Sequence, residues 1–498
     1  MARYKNTDTN NGQGLFLTVN LNNQLLPGTF EYMLNNLIGN EIDISIFDNN
    51  YSNDKTGTTA IPPSVLIKLI IYSYSKGIKS SRAIEELSKN NITAKALAKD
   101  IEPHWTTIAN FISSNGEIFK EIFIKALTYC GELGLIGGET FAIDGCRLPS
   151  NASLQLSGTK EELRKRVNVY RRMAEKHITK HRKQDKNGDN DQNMERNFQR
   201  QQKHLNRQIE KISDFLENME KKEGKRGGEI RSNVTDNESA MIMSSSGYIQ
   251  GYIGLAVSDS KNQIILSAQA VGSANECEHL PDMLDSTINN INEAGIETTT
   301  TALLADKNYF SEENLRACED RGIEAIIPDS QYKKRLGFKK RYEADDFKYY
   351  SEGNYYECPQ GKQLEYKGIC TLGNGKGKAY HANVKDCRIC PDFEKCIRSK
   401  KVKEKISRGR VILINESNEQ GSLCSRMRER LNMEEYQERY VHRIQIIEPV
   451  FANITYCKGL KRFSLRGREK VNGQWLLYCM VHNLGKCLNG YNKEKMYA

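Results

Sequence analysis

Two short apolar stretches that each end in an aspartate constrain the fold of this chain more than any other feature. The first, Glu139 to Gly145, leads a β-prone run into Asp144, and its final glycine breaks the pattern. The second, Thr301 to Ala305, delivers Asp306 in the same way. A single aspartate at a strand end commonly forms a turn. Two such strands side by side would instead place two carboxylates at one edge of a sheet, where they could bind Mg²⁺ and serve phosphodiester chemistry.

Length and charge set the class of protein. The 498 residues suffice for roughly three domains. With 73 Lys and Arg against 63 Asp and Glu, the net charge of +10 favours a polyanionic partner. A polar stretch from Met1 to Gly14 and the lack of a long apolar run predict no secretory signal, no membrane span and a cytoplasmic, nucleoid-associated protein. The 13 cysteines are then expected to be free thiols or metal ligands.

Short helices separated by tight turns are predicted in the first third of the chain. Pro62 and Gly77 bracket the clearest helical pattern, and another helix begins soon after Pro103. Such an arrangement is typical of a helix-turn-helix, but it is equally typical of any small helical domain. We therefore predict an N-terminal all-α domain over residues 1–137, with DNA as a candidate ligand.

A charged block follows the first acidic strand. Residues 160–226 contain 20 Lys and Arg and 12 Asp and Glu, so most of the surplus positive charge lies here. Apolar residues at heptad spacing on either side of a polar turn at Asp185 to Asp191 predict an antiparallel helical hairpin, inserted over 158–230. The hairpin is either a solvated coil or an arm along DNA phosphates, and its charge favours the arm. The predicted DNA contacts are Arg164, Arg171, Arg172, Arg200 and Arg207.

The order of elements between the two aspartates is informative. Over 138–330 the pattern predicts strand, insertion, strand, strand, helix, strand, helix, strand. This order resembles that of RNase H-like folds, in which the first and fourth strands are neighbours. We therefore predict an α/β protein with an RNase H-like catalytic core, whose first part spans 138–330 and whose second part spans 403–498.

A cysteine-rich segment lies between the two parts of the predicted core, over 340–402. Cys387 and Cys390 have the spacing of a zinc knuckle, and Cys358 and Cys396 could complete a site of four thiolates, with Cys370 as a spare candidate. The alternative is a set of unligated thiols. Because the segment has few large apolar residues, we predict a zinc-ribbon-like insertion in which structural Zn²⁺ supplies folding energy.

A third acid lies in the last quarter of the chain. Residues 434–458 have helical periodicity, and Glu448 falls within their apolar run. Pro449 disfavours helical geometry at the preceding residue, so a kink or a helix start is predicted there. A basic stretch follows from Gly459 to Arg468, and a final helix is predicted from Trp475.

Taken together, these residues resemble the DDE transposases of bacterial insertion sequences, in the group with an N-terminal helical domain and a late catalytic glutamate. The resemblance covers nearly the whole chain and is carried by Ala142 to Gly145 with Ser150 to Ser153, by Ala305 to Tyr309, by Ile447 to Phe451, and by Pro62 to Asn91. Relatives often show Tyr-x2-Arg-x3-Glu-x6-Lys. Here four residues separate Arg443 from Glu448, Thr455 stands in place of the lysine, and Lys458 follows three residues later.

The resemblance implies a function and a set of residues. Asp144, Asp306 and Glu448 would form the catalytic triad and bind Mg²⁺ or Mn²⁺. The partner would be double-stranded DNA, both terminal inverted repeats and target, bound by a homodimer. Further DNA contacts are predicted at four basic residues near the third acid, namely Arg443, Lys458, Arg462 and Arg466.

Two other functions stay open at this level. The chain could be an RNase H-like nuclease that cuts DNA without joining it. It could also be a DNA-binding regulator whose catalysis has decayed, although the three acids argue against that.

Overall fold

The computed structural model of the chain describes residues 20–51, 59–186, 192–219, 222–224, 227–244, 247–298, 302–332, 342, 344–372, 375–396, 408–414 and 421–497. It shows a mixed α/β protein with a helical N-terminal region and a mixed sheet. Most of the predicted turn at 185–191 and all of the segment 1–14 lie outside the described residues. No helix in the described ranges is long and apolar enough to cross a membrane.

The N-terminal region consists of short helices around one core. Pro63 occupies the first turn of the central helix, which ends at Ser75. Gly77 follows two residues later, with a left-handed φ of +78° that is unfavourable for residues with a Cβ. The prediction of a helix between Pro62 and Gly77 is thereby confirmed. The helices are α1 (Phe30–Leu37), α2 (Pro63–Ser75), α3 (Ser81–Asn90), α4 (Ile92–Leu97), α5 (Trp105–Ser114) and α6 (Gly116–Glu132).

A six-stranded mixed sheet forms the centre of the molecule. Its strands are β1 (Thr140–Pro149), β4 (Ala240–Ser244), β5 (Gly247–Asp259), β6 (Ile265–Val271), β7 (Ala302–Ala305) and β8 (Glu324–Ile326). The order is β4-β5-β1-β7-β8, and β6 pairs with the second half of β5. Strand β1 is antiparallel to β5 and parallel to β7. The prediction that the two aspartate-bearing strands are neighbours is therefore confirmed.

Helices flank this sheet and connect its strands. Helix α9 (Leu280–Glu293) follows β6, and α10 (Glu312–Glu319) lies between β7 and β8. The side chain of Ser311 caps α10 by accepting a hydrogen bond from the Asn314 backbone N–H, as its position before the helix predicts.

Two long helices are inserted between the strands of a short two-stranded pair. Strands β2 (Ser157–Gly158) and β3 (Ser232–Asn233) pair with each other, and between them run α7 (Lys160–Lys186) and α8 (Gln192–Asn218). Leu163 near the start of α7 shares a small core with Ile212 near the end of α8, so the helices are antiparallel. At the far end, His181 pairs with Glu195 at 2.7 Å.

The cysteine-rich region contains a sheet of its own. Five antiparallel strands are arranged in the order β13-β12-β11-β10-β9. They are β9 (Lys348–Tyr350), β10 (Tyr355–Glu357), β11 (Gln363–Leu372), β12 (Gly375–Ala382) and β13 (Val411–Ile414), with the short helices α11 (Val384–Arg388) and α12 (Phe393–Cys396) before β13. The segment was expected to have few large apolar residues, but the structure gives it a core of its own. Tyr356, Tyr380 and Ile412 are buried in a local core, and β13 extends the sheet to Ile414.

Three helices complete the chain, and Pro449 lies inside the second of them. They are α13 (Leu423–Arg430), α14 (Glu434–Ala452) and α15 (Arg468–Tyr497). The predicted helix start at Glu448 is wrong, because α14 continues through Pro449, and the alternative of a kink stays a prediction. A proline cannot donate to the carbonyl four residues before it. Here the side-chain amide of Gln263 donates to that carbonyl, on Gln445, at 2.8 Å.

Helix α15 closes the core of the molecule. It begins at Arg468, seven residues before the predicted start, where the Glu238 carboxylate accepts from the Arg468 backbone N–H at 3.0 Å. The fully buried Trp475 packs on Gly254 and donates its indole N–H to the Leu255 carbonyl at 2.9 Å. A Cβ on Gly254 would lie 2.9 Å from the indole ring, so glycine allows this close approach.

Amide side chains of α15 also form hydrogen bonds with backbone groups of the outer strand β6. Asn483 bonds both the N–H and the carbonyl of Ile265 at 2.8 Å, and Asn472 accepts from the Ala270 N–H at 2.8 Å. Asn472 and Asn483 are eleven helical residues apart, and their partners on β6 are five strand residues apart. Both separations are about 16 Å, so the spacing of the two amides matches that of the backbone groups they bond.

Burial of His482 on α15 predicts a pH-dependent stability. Burial lowers the pKa of this side chain to about 4, and its Nε2–H donates to the Gln263 carbonyl at 2.9 Å. Because the pKa is lower in the folded than in the unfolded chain, the stabilisation is complete above about pH 6.5 and is lost as pH falls toward 4. The loss should be about 1.4 kcal/mol of unfolding free energy per pH unit.

Urea unfolding followed by tryptophan fluorescence between pH 4 and 7.5 measures this dependence. The His482→Gln protein keeps a side-chain donor but cannot titrate, so its stability should fall less steeply below pH 6.5. Parallel curves for the two proteins would show that His482 does not titrate in this way.

Candidate active site

Asp144 and Asp306 lie side by side where the parallel pairing of β1 with β7 ends. The last paired residues are Ile143 and Ala305, and an aspartate follows each of them. The expectation that Gly145 ends β1 is wrong, because the strand continues to Pro149 against β5. Asp306 leaves β7 and caps a short 3₁₀ turn, accepting from the Lys307 N–H at 2.7 Å.

Asp144 is partly buried in a strongly charged environment. Burial raises the pKa of Asp144, hydrogen bonds from the Gly145 N–H and from Arg443 counteract this shift, and the charge of Asp306 adds to it. The Gly145 N–H donates at 2.8 Å to one carboxylate oxygen, and Arg443 Nη1 donates at 2.9 Å to the other. The carboxylate is thus held in one orientation beside a second acid.

Helix α14 reaches this pair of acids mainly through Arg443. The guanidinium is buried, and its Nη2 also lies 3.7 Å from Glu448 Oε1. Glu448 itself is exposed over 57% of its side chain, so it lies at the rim of the site. Arg443 was predicted to contact DNA. The structure shows it between two of the predicted catalytic acids, and a contact with DNA stays a prediction.

The structure adds three residues that the sequence analysis did not identify. Glu276 follows β6 and is buried next to Gly145, where it accepts from Asn308 Nδ2 at 3.2 Å and pairs with Arg147 at 3.4 Å. The strand topology could have indicated Glu276. Strands β1 and β6 are both antiparallel to β5, so they run in the same direction and their carboxyl ends lie at the same edge of the sheet. The loop that contains Glu276 is polar in sequence, so the sequence did not predict that Glu276 is buried.

The other predicted DNA-binding residues are distributed over two regions. On α7 and α8 all five predicted arginines are exposed. After α14, Lys458 is half-buried and donates to the Ser75 carbonyl at 3.4 Å, while Arg462 and Arg466 donate to the carbonyls of Ser150 and Asn151 at 2.9 and 2.6 Å. These last two side chains tie the segment after β1 to the basic loop.

The four predicted zinc ligands lie at one end of the small sheet. Two of their sulfurs accept backbone N–H groups, Cys358 from Lys362 at 3.3 Å and Cys387 from Arg410 at 3.4 Å. Burial raises the pKa of Cys396 to about 11, nearby Arg410 lowers it, and the other three thiols raise it further. In the described ranges, however, no three Cys, His, Asp or Glu side chains are arranged to hold a metal ion, here or beside Asp144.

The geometry therefore defines an α/β protein with a carboxylate site at one edge of a mixed sheet. Comparison with protein families is more specific. Residues 357–488 match the family described as "Transposase DDE domain", and residues 19–114 match "Transposase domain (DUF772)". The resemblance to a DDE transposase of an insertion sequence is confirmed by these two matches. No curated protein matches the chain.

The two matches support a transposase function, which implies a DNA substrate and, as is general in that family, a divalent metal ion. The first match includes Glu448, whereas Asp144 and Asp306 lie outside both matched ranges. The matches therefore assign no role to Asp144 or Asp306.

Proposed function

We propose that this chain is a DDE transposase that binds the ends of an insertion sequence, cleaves DNA and transfers the cut strand to a target. The observation that supports this most directly is the parallel pairing of β1 with β7, which leaves Asp144 and Asp306 adjacent at one sheet edge. The central strand order agrees with an RNase H-like core formed by 138–330 and 403–498. The N-terminal helices would bind DNA, and a homodimer would join two ends.

The candidate metal ligands have suitable chemistry. Carboxylates are the ligands that Mg²⁺ and Mn²⁺ prefer, and Asp144 and Asp306 would hold the ion with Glu448 completing the site from α14. A bound divalent ion would stabilise the charge that develops during phosphodiester cleavage. Arg443 would orient Asp144 and partly offset the rise in its pKa before an ion binds, because its Nη1 lies 2.9 Å from that carboxylate.

The three acids should act as one unit. Asp144→Asn, Asp306→Asn and Glu448→Gln each preserve shape but remove a charge from the proposed metal shell. Each change should abolish Mg²⁺-dependent cleavage of end-containing DNA, and the triple variant should be little worse than any single one. Cleavage and strand transfer are read on labelled DNA, with binding measured in parallel. Detection of cut but unjoined DNA would favour the nuclease alternative.

A matched control is available on the same helix. Glu438 is exposed on α14 ten residues before Glu448, so Glu438→Gln should cut normally. Normal cutting by Glu448→Gln would place the third ligand elsewhere. Normal cutting by either aspartate variant would contradict the RNase H-like interpretation.

The α7–α8 pair is proposed to lie along DNA phosphates. Its five predicted arginines are exposed, and phosphate contacts release counterions, so affinity should depend on salt. Changing all five to Gln should lower affinity for all DNA sequences alike and reduce the slope of log K against log salt by up to about 4.5, or about 0.9 per contact. The control replaces Asn168, Gln201 and Asn206, exposed on the same helices, by Ala. An unchanged slope would mean that the pair is a solvated or dimerising coil.

Structural zinc is proposed for the cysteine-rich region. Its support is that the other three thiols lie close enough to Cys396 to raise its pKa, and that two of the four sulfurs accept backbone N–H groups, as metal-binding thiols commonly do. Purified protein should contain about one zinc per chain, and Cys387→Ser with Cys390→Ser should release it and lower the melting temperature of the small sheet. Cys370→Ser, on the exposed part of β11, should keep the zinc. Full zinc in the double variant would contradict the assignment.

A further inference from the structure

A buried glutamate outside the predicted triad faces the same sheet edge. Glu276 is only 5% exposed, although it lies in the loop that follows β6. One carboxylate oxygen lies 2.7 Å from the position that a Cβ on Gly145 would occupy, so the carboxylate presses against the backbone next to Asp144. Because residue 145 is glycine, the acid in the loop after β6 can approach β1 closely.

The contacts of Glu276 are too weak for its burial to be explained by a structural ion pair. Among the described residues Arg147 is the cation paired with it, but the contact is 3.4 Å and the arginine side chain is 38% exposed. Asn308, two residues after Asp306, donates to the same oxygen at 3.2 Å. A buried acid with one long ion pair and two acidic neighbours is costly unless a further positive charge joins the group.

An independent observation points to a ligand at this place. Tyr309 is fully buried, and its hydroxyl has no hydrogen-bond partner within the described structure. Asn314 Nδ2 donates to the carbonyls of both Cys277 and Tyr309, so Tyr309 lies beside the loop that carries Glu276. Burial raises the pKa of Tyr309, and the charges of Glu276, Asp144 and Asp306 raise it further. Buried hydroxyls normally have a partner. This one would be available to a polar ligand bound near the carboxylates.

We propose that Glu276 is a further carboxylate of the divalent-cation site, beside Asp144 and Asp306 and oriented by Asn308 and Arg147. The inference rests on the proposed function, because it assumes that the two aspartates bind the metal ion. The three acids would then come from three strands with the same direction or the loops that follow them: Asp144 lies in β1, Asp306 directly follows β7, and Glu276 lies in the loop after β6, with Glu448 added from α14.

Binding of Mn²⁺ to the full-length protein without DNA tests this proposal independently of activity. Glu276→Gln should weaken Mn²⁺ affinity in calorimetry by about tenfold or more, as loss of a ligand or of its supporting shell does. The melting temperature of the metal-free variant should stay the same or rise, because a repelling charge has been removed. Glu278→Gln removes the same charge from the exposed side of the loop and should bind Mn²⁺ normally.

The outcomes separate this proposal from the proposed function. If Glu276→Gln binds Mn²⁺ normally while Asp144→Asn does not, Glu276 is not a ligand and the transposase site stands. If Asp144→Asn also binds normally, the proposed metal site itself is wrong. A lower melting temperature of metal-free Glu276→Gln, matched by Arg147→Gln, together with normal Mn²⁺ affinity, would mark a structural ion pair.

A second variant keeps the test valid if the first does not fold. Glu276→Asp retains the charge but withdraws the carboxylate by one methylene group. It should fold and bind Mn²⁺ more weakly than the unmodified protein. Unchanged affinity in this variant would overturn the assignment.

Discussion

The parallel register between β1 and β7 is the constraint on which the candidate site depends. Ile143 lies opposite Ala305, so the next residue on each strand is an aspartate. A slip of one residue would turn every side chain of β7 to the other face and separate the two acids. The register is fixed by burial, because all four residues of β7 are buried and β1 is held on its other side by nine pairs with β5. The chemistry at the sheet edge thus depends on packing within the sheet.

Gathering acids at this edge creates an electrostatic imbalance that the surrounding residues compensate only in part. Arg443 pairs closely with Asp144. Its distance to Glu448, and the distance from Arg147 to Glu276, are both longer than the N–O distance of a strong ion pair. The pKa values of Asp144 and Glu276 are both raised, first by burial and also by neighbouring acids. The protein therefore carries a site whose negative charge exceeds its built-in positive charge, and a divalent cation would correct that excess.

Sequence patterns predicted what depends on local chemistry or chain order. Helix α2 follows from prolines at its start and a glycine after its end, and the adjacency of Asp144 and Asp306 follows from the order of strands. The patterns failed where distant residues decide the structure. The continuation of α14 through Pro449 depends on Gln263, which is far away in the chain, and the early start of α15 depends on Glu238. Glu276 was missed for the same reason, since its burial comes from strands that surround it only after folding.

The dependence of β6 on α15 has a consequence for the order in which the chain is built. About two hundred residues, including the whole small sheet, separate Ile265 from Asn483, which bonds both of its backbone groups. While the ribosome is still synthesising that interval, the central sheet has an uncovered edge and Gly254 has no indole packed against it. Native closure of the core must await emergence of α15 from the exit tunnel. Partial translation products that end before this helix should consequently be substrates for chaperones and proteases.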